Sequence, residues 1–171
     1  MKKLISEKLP RILKNKRKLE NTLNVKITNR GKEVYIEGDS IEEYTAEKVI
    51  EAIEMGFPIS VALSIKEDDA SFEVINIKDH TPKKNFGSIR SRIIGKNGKT
   101  LKTLSQLTGC HFEIKDNFVG IIGEAESIEN AQTSVILIIQ GSKQANVYSY
   151  LEKHHIRPPF DLGLKNAKDK L

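Results

Sequence analysis

Alternating polar and apolar residues, followed by apolar residues at helical spacing, predict an ordered set of elements over residues 73–141. Glu73-Val74-Ile75-Asn76-Ile77 alternates as a strand with one buried face does. Leu101, Leu104 and Leu107 recur on one helix face, and Gly109 follows as a typical helix stop. The predicted elements are a strand at 73–77, helices at 88–94 and 101–107, strands at 110–114 and 118–122, and a closing helix at 128–139.

A weaker copy of this pattern lies at the start of the chain. At an offset of 85 residues, Val34–Gly38 aligns with Val119–Gly123, and the correspondence continues to Gly56 and Gly141. Between the copies, Phe57–Ile65 predicts a short apolar helix that fills the seam between them. The elements predicted for the first copy are a strand at 4–5, a helix around 10–23, strands near 25–28 and 33–37, and a helix near 41–55.

Together these patterns predict an α+β protein of two tandem units, each a three-stranded sheet packed with helices. The first unit covers residues 1–65 and includes the joining helix. The second unit covers residues 66–155 and ends with a further helix at 145–155. Residues 156–171 are expected to form an extended or disordered tail.

The turn between the first two helices of the second unit has the chemistry of a phosphate-binding loop. It reads Gly95-Lys96-Asn97-Gly98, and a glycine at each end lets the backbone approach a phosphate closely. The N–H groups at the start of the following helix point toward such an anion. Lys99 and Lys102 continue the positive charge along that helix. The first unit has Pro10-Arg11-Ile12-Leu13 at the aligned positions, so it cannot repeat this approach.

The distribution of charge agrees with a nucleic-acid site at this loop. The chain carries a net charge of +5, and residues 74–102, which include the loop and the start of its helix, carry +7. A positive block around such a loop is typical of a protein that binds a nucleic-acid backbone. Residues 1–32 carry +9 and residues 33–73 carry −10. In one interpretation the basic helix of the first unit is a second phosphate contact. In the alternative, the first unit is a scaffold that packs on the second unit and offers its acidic helix to a protein partner or to water.

Composition argues against several classes of protein. The chain has no apolar run of 18 residues, so no transmembrane helix is expected. Its first residues lack the apolar region of a secretory signal, so we expect a cytoplasmic protein. Cys110 is the only cysteine, which excludes an internal disulfide and fits a reducing compartment. We interpret Cys110 as a small apolar residue of a buried strand.

No enzyme activity, cofactor or metal site is predicted. The aspartates lack the paired spacing of a two-metal site, and the four histidines are scattered along the chain. Gly95–Thr100 ends like the phosphate loop of a nucleotide hydrolase. That motif requires a glycine at position 93, which is Ile93 here. We therefore expect a binding protein.

The order β-α-α-β-β-α, with Gly-x-x-Gly between the first two helices, resembles a type I KH domain, which holds about four nucleotides of single-stranded RNA or DNA. By the same comparison the first unit resembles a degenerate KH unit without the loop. Over residues 4 to about 155 the chain resembles the partner-of-Nob family of two-KH ribosome-assembly factors. The segments that carry this resemblance are Gly38-Asp39, Ala46, Ala52–Phe57, Ala62-Leu63, Val74–Ile77, Arg92–Thr100, Leu107–Gly109 and Val147–Glu152.

The resemblance implies a specific function. Family members bind the single-stranded 3′ end of small-subunit ribosomal RNA and act beside the Nob endonuclease during late maturation of that end. Archaeal relatives are also associated with the alpha subunit of translation initiation factor two. We therefore expect an RNA-binding protein with these partners. The alternatives are a general single-stranded nucleic-acid binder and a protein-interaction scaffold in translation.

The RNA-binding residues are expected at the loop of the second unit and on its flanks. Ile94 and Ile114 are candidates for the floor and wall of a groove for bases. Leu101 and Phe112 are candidates too, with ordinary core packing as the alternative for both. The expected RNA-binding residues are Gly95, Lys96, Asn97, Gly98, Lys99, Lys102, Arg90, Arg92 and Ile94.

Overall fold

The computed structural model describes residues 1–154, which form two three-stranded antiparallel sheets packed with helices. The first unit contains β1 (Lys2–Ile5), α1 (Leu9–Lys14), α2 (Lys16–Leu23), β2 (Lys26–Arg30), β3 (Glu33–Glu37), α3 (Ser40–Met55) and α4 (Ile59–Leu63). The second unit contains β4 (Ala70–Asn76), α5 (Phe86–Ile94), α6 (Lys99–Thr108), β5 (His111–Lys115), β6 (Phe118–Glu124), α7 (Ala125–Ile139) and α8 (Gln144–Lys153). The predicted α+β class is confirmed, and the tail predicted for 156–171 lies outside the described residues.

The two sheets share one topology. In the first sheet β3 lies between β1 and β2, and in the second β6 lies between β4 and β5. The short strand predicted at Leu4-Ile5 is present as β1, and it pairs with β3 so that Leu4 faces Val34. Both units therefore have the order β-α-α-β-β-α.

The single helix predicted around residues 10–23 is in fact two helices, α1 and α2. They meet at Asn15, whose backbone leaves the helical region with φ −107° and ψ 11°. The Asn15 side chain donates a hydrogen bond to the Arg11 carbonyl oxygen at 2.9 Å. Asparagine favours helix ends because its short amide competes for backbone partners in this way. The two helices of the first unit are therefore joined by one residue, without a loop.

The core of the first unit lies between its sheet and α1, α2 and α3. Ile12, Leu19 and Ile53 are fully buried there. The segment predicted to fill the seam between the units also belongs to this core, since Ala62 and Leu63 of α4 are buried in it. The second sheet contributes Ile122 to the same core. Apolar burial thus continues across the boundary between the units.

The core of the second unit lies on the other face of the second sheet, under α5, α6, α7 and α8. Ile93, Leu104 and Val135 are fully buried in it. Cys110 is buried in the same core, and burial raises the pKa of its thiol. A buried thiol of raised pKa is chemically inert, as expected for a structural cysteine.

Within residues 1–154 no helix combines the length and apolar character needed to cross a membrane.

Candidate nucleic-acid interface

The Gly-x-x-Gly loop connects α5 to α6 through three residues with positive φ. Gly95 ends α5 with φ 76° and ψ 172°, and the chain then makes a short 3-10 turn over Lys96–Gly98. Asn97 has φ 55° and Gly98 has φ 73°. Residues that carry a side chain rarely adopt such backbone angles, whereas glycine adopts them at little cost in energy. Gly98 is also the residue that precedes the first turn of α6.

The two glycines of the loop serve different purposes. A Cβ on Gly95 would overlap the Thr100 hydroxyl and lie 2.7 Å from the Thr100 backbone nitrogen. Gly95 is therefore required by packing inside the protein. A Cβ on Gly98 would meet no atom of the described residues within 4 Å. Gly98 therefore leaves an open approach to the backbone at the start of α6, which is where an anion can come close.

The loop is braced from behind by the C-terminal part of the second unit. Thr100 is buried, and its hydroxyl accepts a hydrogen bond of 2.7 Å from the Gln144 side-chain amide at the start of α8. Arg92 donates to the Ser142 carbonyl oxygen at 3.0 Å, in the connection between α7 and α8. These bonds hold both ends of the loop to one short segment, residues 142–144. The side chains of Lys96 and Asn97 at its tip are exposed.

A groove of about 410 Å³ lies beside the loop, between α5 and the hairpin turn that joins β5 to β6. Arg90 and Ile94 line it from α5, and Ile94 is 38% exposed. Ile114 and Asn117 line it from the hairpin, and Asn117 accepts a hydrogen bond of 2.6 Å from the Arg90 guanidinium. Asp116 of the hairpin turn also lines the groove. The groove therefore combines two apolar side chains with three polar or charged ones, a mixture that can pack against an unpaired base and hydrogen-bond to its edge.

The residues predicted from the sequence divide into three groups. Lys99 and Lys102 lie exposed on α6, and their spacing places them on one face of that helix. Leu101 packs against the second core, and Phe112 is buried within it, so the core alternative describes both. Ile94 and Ile114 are the predicted apolar residues that reach the groove.

Within residues 1–154 no group of three or more His, Cys, Asp or Glu side chains could hold a metal ion.

The family of the chain is established by a match over half of its length. Residues 71–156 match the model of the second KH domain of PNO1, described as a eukaryotic-type KH domain, or KH domain type I. The chain belongs to the PNO1/Dim2 family. This confirms the resemblance to the partner-of-Nob family noted in the sequence.

Relatives of known name agree with this assignment. The chain is 31% identical over 133 residues to a KH domain-containing protein of Methanocaldococcus jannaschii, covering 75% of this chain and 59% of that protein. It is 31% identical over 102 residues to the RNA-binding protein PNO1 of Oryzias latipes, covering 58% of this chain and 42% of that protein. It is 30% identical over 108 residues to the pre-rRNA-processing protein PNO1 of Coccidioides immitis, covering 61% and 42%. The chain thus spans roughly four to six tenths of the length of these curated relatives.

Two solved structures of Pyrococcus horikoshii share the fold. The crystal structure of Dim2p has a TM-score of 0.79 and 26% identity, covering 89% of this chain and 98% of that chain. A chain of the a/eIF2α–aDim2p–rRNA complex has a TM-score of 0.80 and 26% identity, covering 90% of this chain and 93% of that chain. The likeness therefore extends over both units and is not restricted to the matched KH domain.

In this PNO1/Dim2 protein the first unit has no counterpart of the loop. Its two helices meet at Asn15, and neither glycine nor positive φ occurs at that joint. Lys14 and Arg17 are exposed beside the joint, whereas Lys16 lies 3.9 Å from Glu20 in an ion pair. The joint at Asn15 therefore differs in backbone conformation from the Gly95–Gly98 loop of the second unit.

Several groups at the site of this family member were not among the predicted residues. Thr100 and Gln144 brace the loop, and Asn117 ties the hairpin turn to Arg90. The partners in these bonds are 44 and 27 residues apart in the chain. Local periodicity carries no information on contacts of that range. The available signal was the turn sequence Lys115-Asp116-Asn117, which the KH order places opposite the loop.

Proposed function

We propose that this chain binds single-stranded RNA at the Gly95–Gly98 loop, and that the RNA is the 3′ end of small-subunit ribosomal RNA, whose late maturation the protein assists. One observation carries this proposal, namely the open backbone at Gly98 beside a groove of about 410 Å³. The names of relatives support the choice of RNA, because two of them are an RNA-binding protein and a pre-rRNA-processing protein. The P. horikoshii complex also contains rRNA.

The proposal gives the site residues distinct roles. Gly98 admits a phosphate to the start of α6, and Lys96 and Asn97 contact it from the exposed tip of the loop. Lys99 and Lys102 bind the next phosphates along α6. Ile94 packs against a base in the groove. Gly95 acts indirectly, since its lack of a side chain allows the loop to close on Thr100.

Arg90 and Arg92 flank the proposed path of the RNA strand. Each has a protein acceptor in this structure, Asn117 for Arg90 and Ser142 for Arg92. Their guanidinium groups hold five donors each, so both can contact RNA without giving up these bonds. We expect them to contribute less to phosphate binding than the lysines of the loop do.

We further propose that residues 1–65 form a degenerate KH unit and that residues 66–155 form the KH unit that binds RNA. We also propose that the protein acts in the cytoplasm as a binding factor and not as an enzyme. The shared topology of the two sheets supports the first point. The proposed protein partners are a Nob-type endonuclease and the alpha subunit of translation initiation factor two. The second is supported by the P. horikoshii complex, which includes a/eIF2α.

The test is a titration of the protein with a short RNA matching the 3′ end of its host's small-subunit ribosomal RNA, and with a scrambled RNA of equal length. The variant Lys96→Asp, Asn97→Asp is compared with the control Ser149→Asp, Lys153→Asp. The control makes the same change of charge on exposed positions of α8. Preference for the ribosomal RNA, lost in the loop variant and kept in the control, is the expected result.

Other outcomes contradict specific parts of the proposal. Equal affinity for both RNAs would indicate a general single-stranded nucleic-acid binder. Equal losses in the loop variant and in the control would mean that overall charge, and not the loop, determines binding. Unchanged binding in the loop variant would place the RNA on a different surface.

A protein-interaction scaffold is the second candidate function, and a cleft between the units favours it. The cleft has a volume of about 450 Å³. Ile5, Val74 and Phe118 line it and are 72%, 45% and 43% exposed. Exposed apolar side chains that converge in this way are typical of protein contacts. Binding of the initiation-factor subunit that is lost in Val74→Asp and kept in the loop variant would support this second function.

A further inference from the structure

The hairpin turn that forms one wall of the nucleotide groove also contacts the first unit. Successive side chains of a strand point to opposite faces of its sheet. Ile114 accordingly faces the groove, while Lys115 lies on the opposite face of β5. The turn then passes through Asp116, with φ 53°, to Asn117, which lines the groove again. The short segment 114–117 therefore links the proposed RNA site to the residues of the first unit that contact Lys115.

Lys115 is held by two carboxylates of the first unit. Its ammonium nitrogen lies 3.3 Å from Glu7 Oε2 and 4.0 Å from Glu54 Oε2. Glu7 is largely exposed, at 73%, but Glu54 is only 16% exposed and Lys115 only 31%. Glu7 is the nearer of the two carboxylates, but partial burial reduces screening by water and salt, so the charge of Glu54 is the better candidate for an anchor.

Glu54 is itself fixed in place by the segment after β1. Its carboxylate accepts a hydrogen bond from the Ser6 hydroxyl and bonds of 3.2 Å from the backbone N–H groups of Glu7 and Lys8. Glu54 lies in the last turn of α3, where the helix dipole disfavours a negative charge. The three donors and Lys115 compensate for that position. Glu54 is therefore a rigid acceptor that faces the second unit.

Two residues earlier on the same strand face, Glu113 carries a negative charge near positive charges of the first unit. Glu113 is partly buried, and this burial raises the pKa of its carboxyl, while the nearby charges of Lys8 and Arg11 act in the opposite direction. The strand β5 thus presents a negative and then a positive group, and the first unit meets them with groups of the opposite charge. Reversed charges at two adjacent positions fix how the strand lies against the first unit.

We propose that the first unit positions the groove beside the Gly95–Gly98 loop of the second unit. Glu54 is the anchor, and Lys115 is the positioning residue, because its ion pair with Glu54 fixes the hairpin turn that forms one wall of the groove. This inference rests on the proposed RNA-binding function. It gives the first unit a role in RNA binding that requires neither a Gly-x-x-Gly loop nor any contact with RNA. Lys115 acts on the RNA through Ile114, Asp116 and Asn117.

A direct contact between Lys115 and a phosphate makes the opposite prediction for Glu54. If Lys115 bound RNA itself, removal of the neighbouring negative charge would leave RNA affinity unchanged or increase it. If Glu54 positions the groove, removal of the same charge weakens RNA binding. The sign of the effect of Glu54→Gln therefore separates the two explanations. Glutamine retains the shape of the side chain and one acceptor oxygen for the backbone donors.

The experiment measures the affinity for the ribosomal 3′-end RNA of the wild-type protein and of Glu54→Gln, Lys115→Gln and the double variant. Glu51→Gln is the matched control, because Glu51 lies one turn earlier on α3 and lines the same cleft but pairs with Lys48 at 3.1 Å. We expect the single variants to bind RNA about three- to fivefold more weakly, the range expected for a partly exposed ion pair. The double variant should bind no more weakly than either single variant, and Glu51→Gln should bind at least as well as wild type.

The salt dependence of binding separates a positioning role of Lys115 from a direct contact between Lys115 and a phosphate. Each phosphate contact contributes about 0.7 to the slope of log affinity against log salt for a single strand. Lys115→Gln should lower the affinity and leave this slope unchanged. A slope reduced by about 0.7 would identify Lys115 as a phosphate contact and overturn the proposal. Thermal unfolding checks folding, and the affinity and salt slope of Lys115→Gln carry the test if Glu54→Gln does not fold.

The proposal and the RNA-binding function fail in distinguishable ways. If Lys96→Asp, Asn97→Asp binds RNA as the wild type does, the proposed site is wrong and the positioning role falls with it. If the loop variant loses binding while Glu54→Gln and Lys115→Gln bind like Glu51→Gln, the RNA site stands and the positioning role alone is refuted.

Discussion

Replacing Gly95 or Gly98 by alanine adds the same methyl group to opposite ends of the loop, with different expected consequences. At Gly95 the backbone has φ 76° and ψ 172°, a region that costs a residue with a side chain about 1–3 kcal/mol. The new Cβ would also displace Thr100, whose hydrogen bond with Gln144 contributes about 1 kcal/mol. We expect Gly95→Ala to lower the free energy of unfolding by about 3 kcal/mol, or the Tm by roughly 6–12 °C.

Gly98→Ala adds its methyl group to open space. The left-handed backbone, with φ 73°, costs alanine about 1 kcal/mol, which corresponds to roughly 2–4 °C in Tm. The methyl group would stand where the phosphate approaches the start of α6. Loss of a hydrogen bond between backbone N–H and a charged phosphate is worth about 1.5–3 kcal/mol, so we expect RNA affinity to fall by at least about tenfold.

The assay pairs a thermal melt of each variant with a fluorescence anisotropy titration of the same RNA at one fixed salt concentration. Gly95→Ala is expected to lose both stability and RNA binding, whereas Gly98→Ala loses mainly binding. A Gly95→Ala protein with the wild-type Tm would refute the packing argument on Thr100. A Gly98→Ala protein with full RNA affinity would refute the close approach of a phosphate at that position.

Three further predictions concern single side chains. Thr100→Val removes the acceptor of Gln144 and is expected to cost about 1 kcal/mol of stability in a denaturant titration and to weaken RNA binding, with no effect on binding counting against the brace. Burial raises the pKa of Glu113 above its ordinary 4.5, so its ionisation opposes folding. Glu113→Gln should therefore raise the Tm at pH 7, and this gain should disappear as the pH falls below about 4.5, where the carboxyl is protonated in both states. Lys96→Gln should reduce the salt slope of RNA binding by about 0.7, whereas Lys153→Gln, at the far end of α8, should leave it unchanged.

The order of elements was readable from the sequence because local patterns determine it. Gly109, predicted as a helix stop, ends α6 with φ 69°. The final helix, predicted at 145–155, is present as α8, and its Val147 and Leu151 side chains are both buried. The break at Asn15 was missed because one asparagine inside a helical pattern is compatible with either one helix or two. Its side-chain bond to the Arg11 carbonyl oxygen, which forms only in the folded chain, accompanies the break.

The candidate site was readable only where it depends on backbone chemistry. The glycine spacing identified the loop only together with the order of strands and helices around it, because Gly-x-x-Gly turns are common on their own. The glycines matter there because close approach to a phosphate requires residues without a Cβ. The alternation of β5 predicted that one face is buried, but it did not show which neighbours cover each face. Phe112 and Ile114 lie on the same side of the strand, yet one is buried in the core and the other lines the groove. That difference depends on how far α6 and the hairpin turn extend over the sheet.

One pair of aligned positions has different contacts in the two units, although the units share one topology. Arg11 aligns with Lys96 at the offset of 85 residues. Lys96 is exposed at the tip of the loop, whereas the Arg11 guanidinium donates to the carbonyl oxygens of Ile53 at 3.4 Å and Phe57 at 3.0 Å. Those carbonyls lie at and just beyond the C-terminal end of α3, where a positive charge is favourable. The position that is proposed to offer a cation to RNA in the second unit therefore stabilises the end of α3 in the first, next to Glu54.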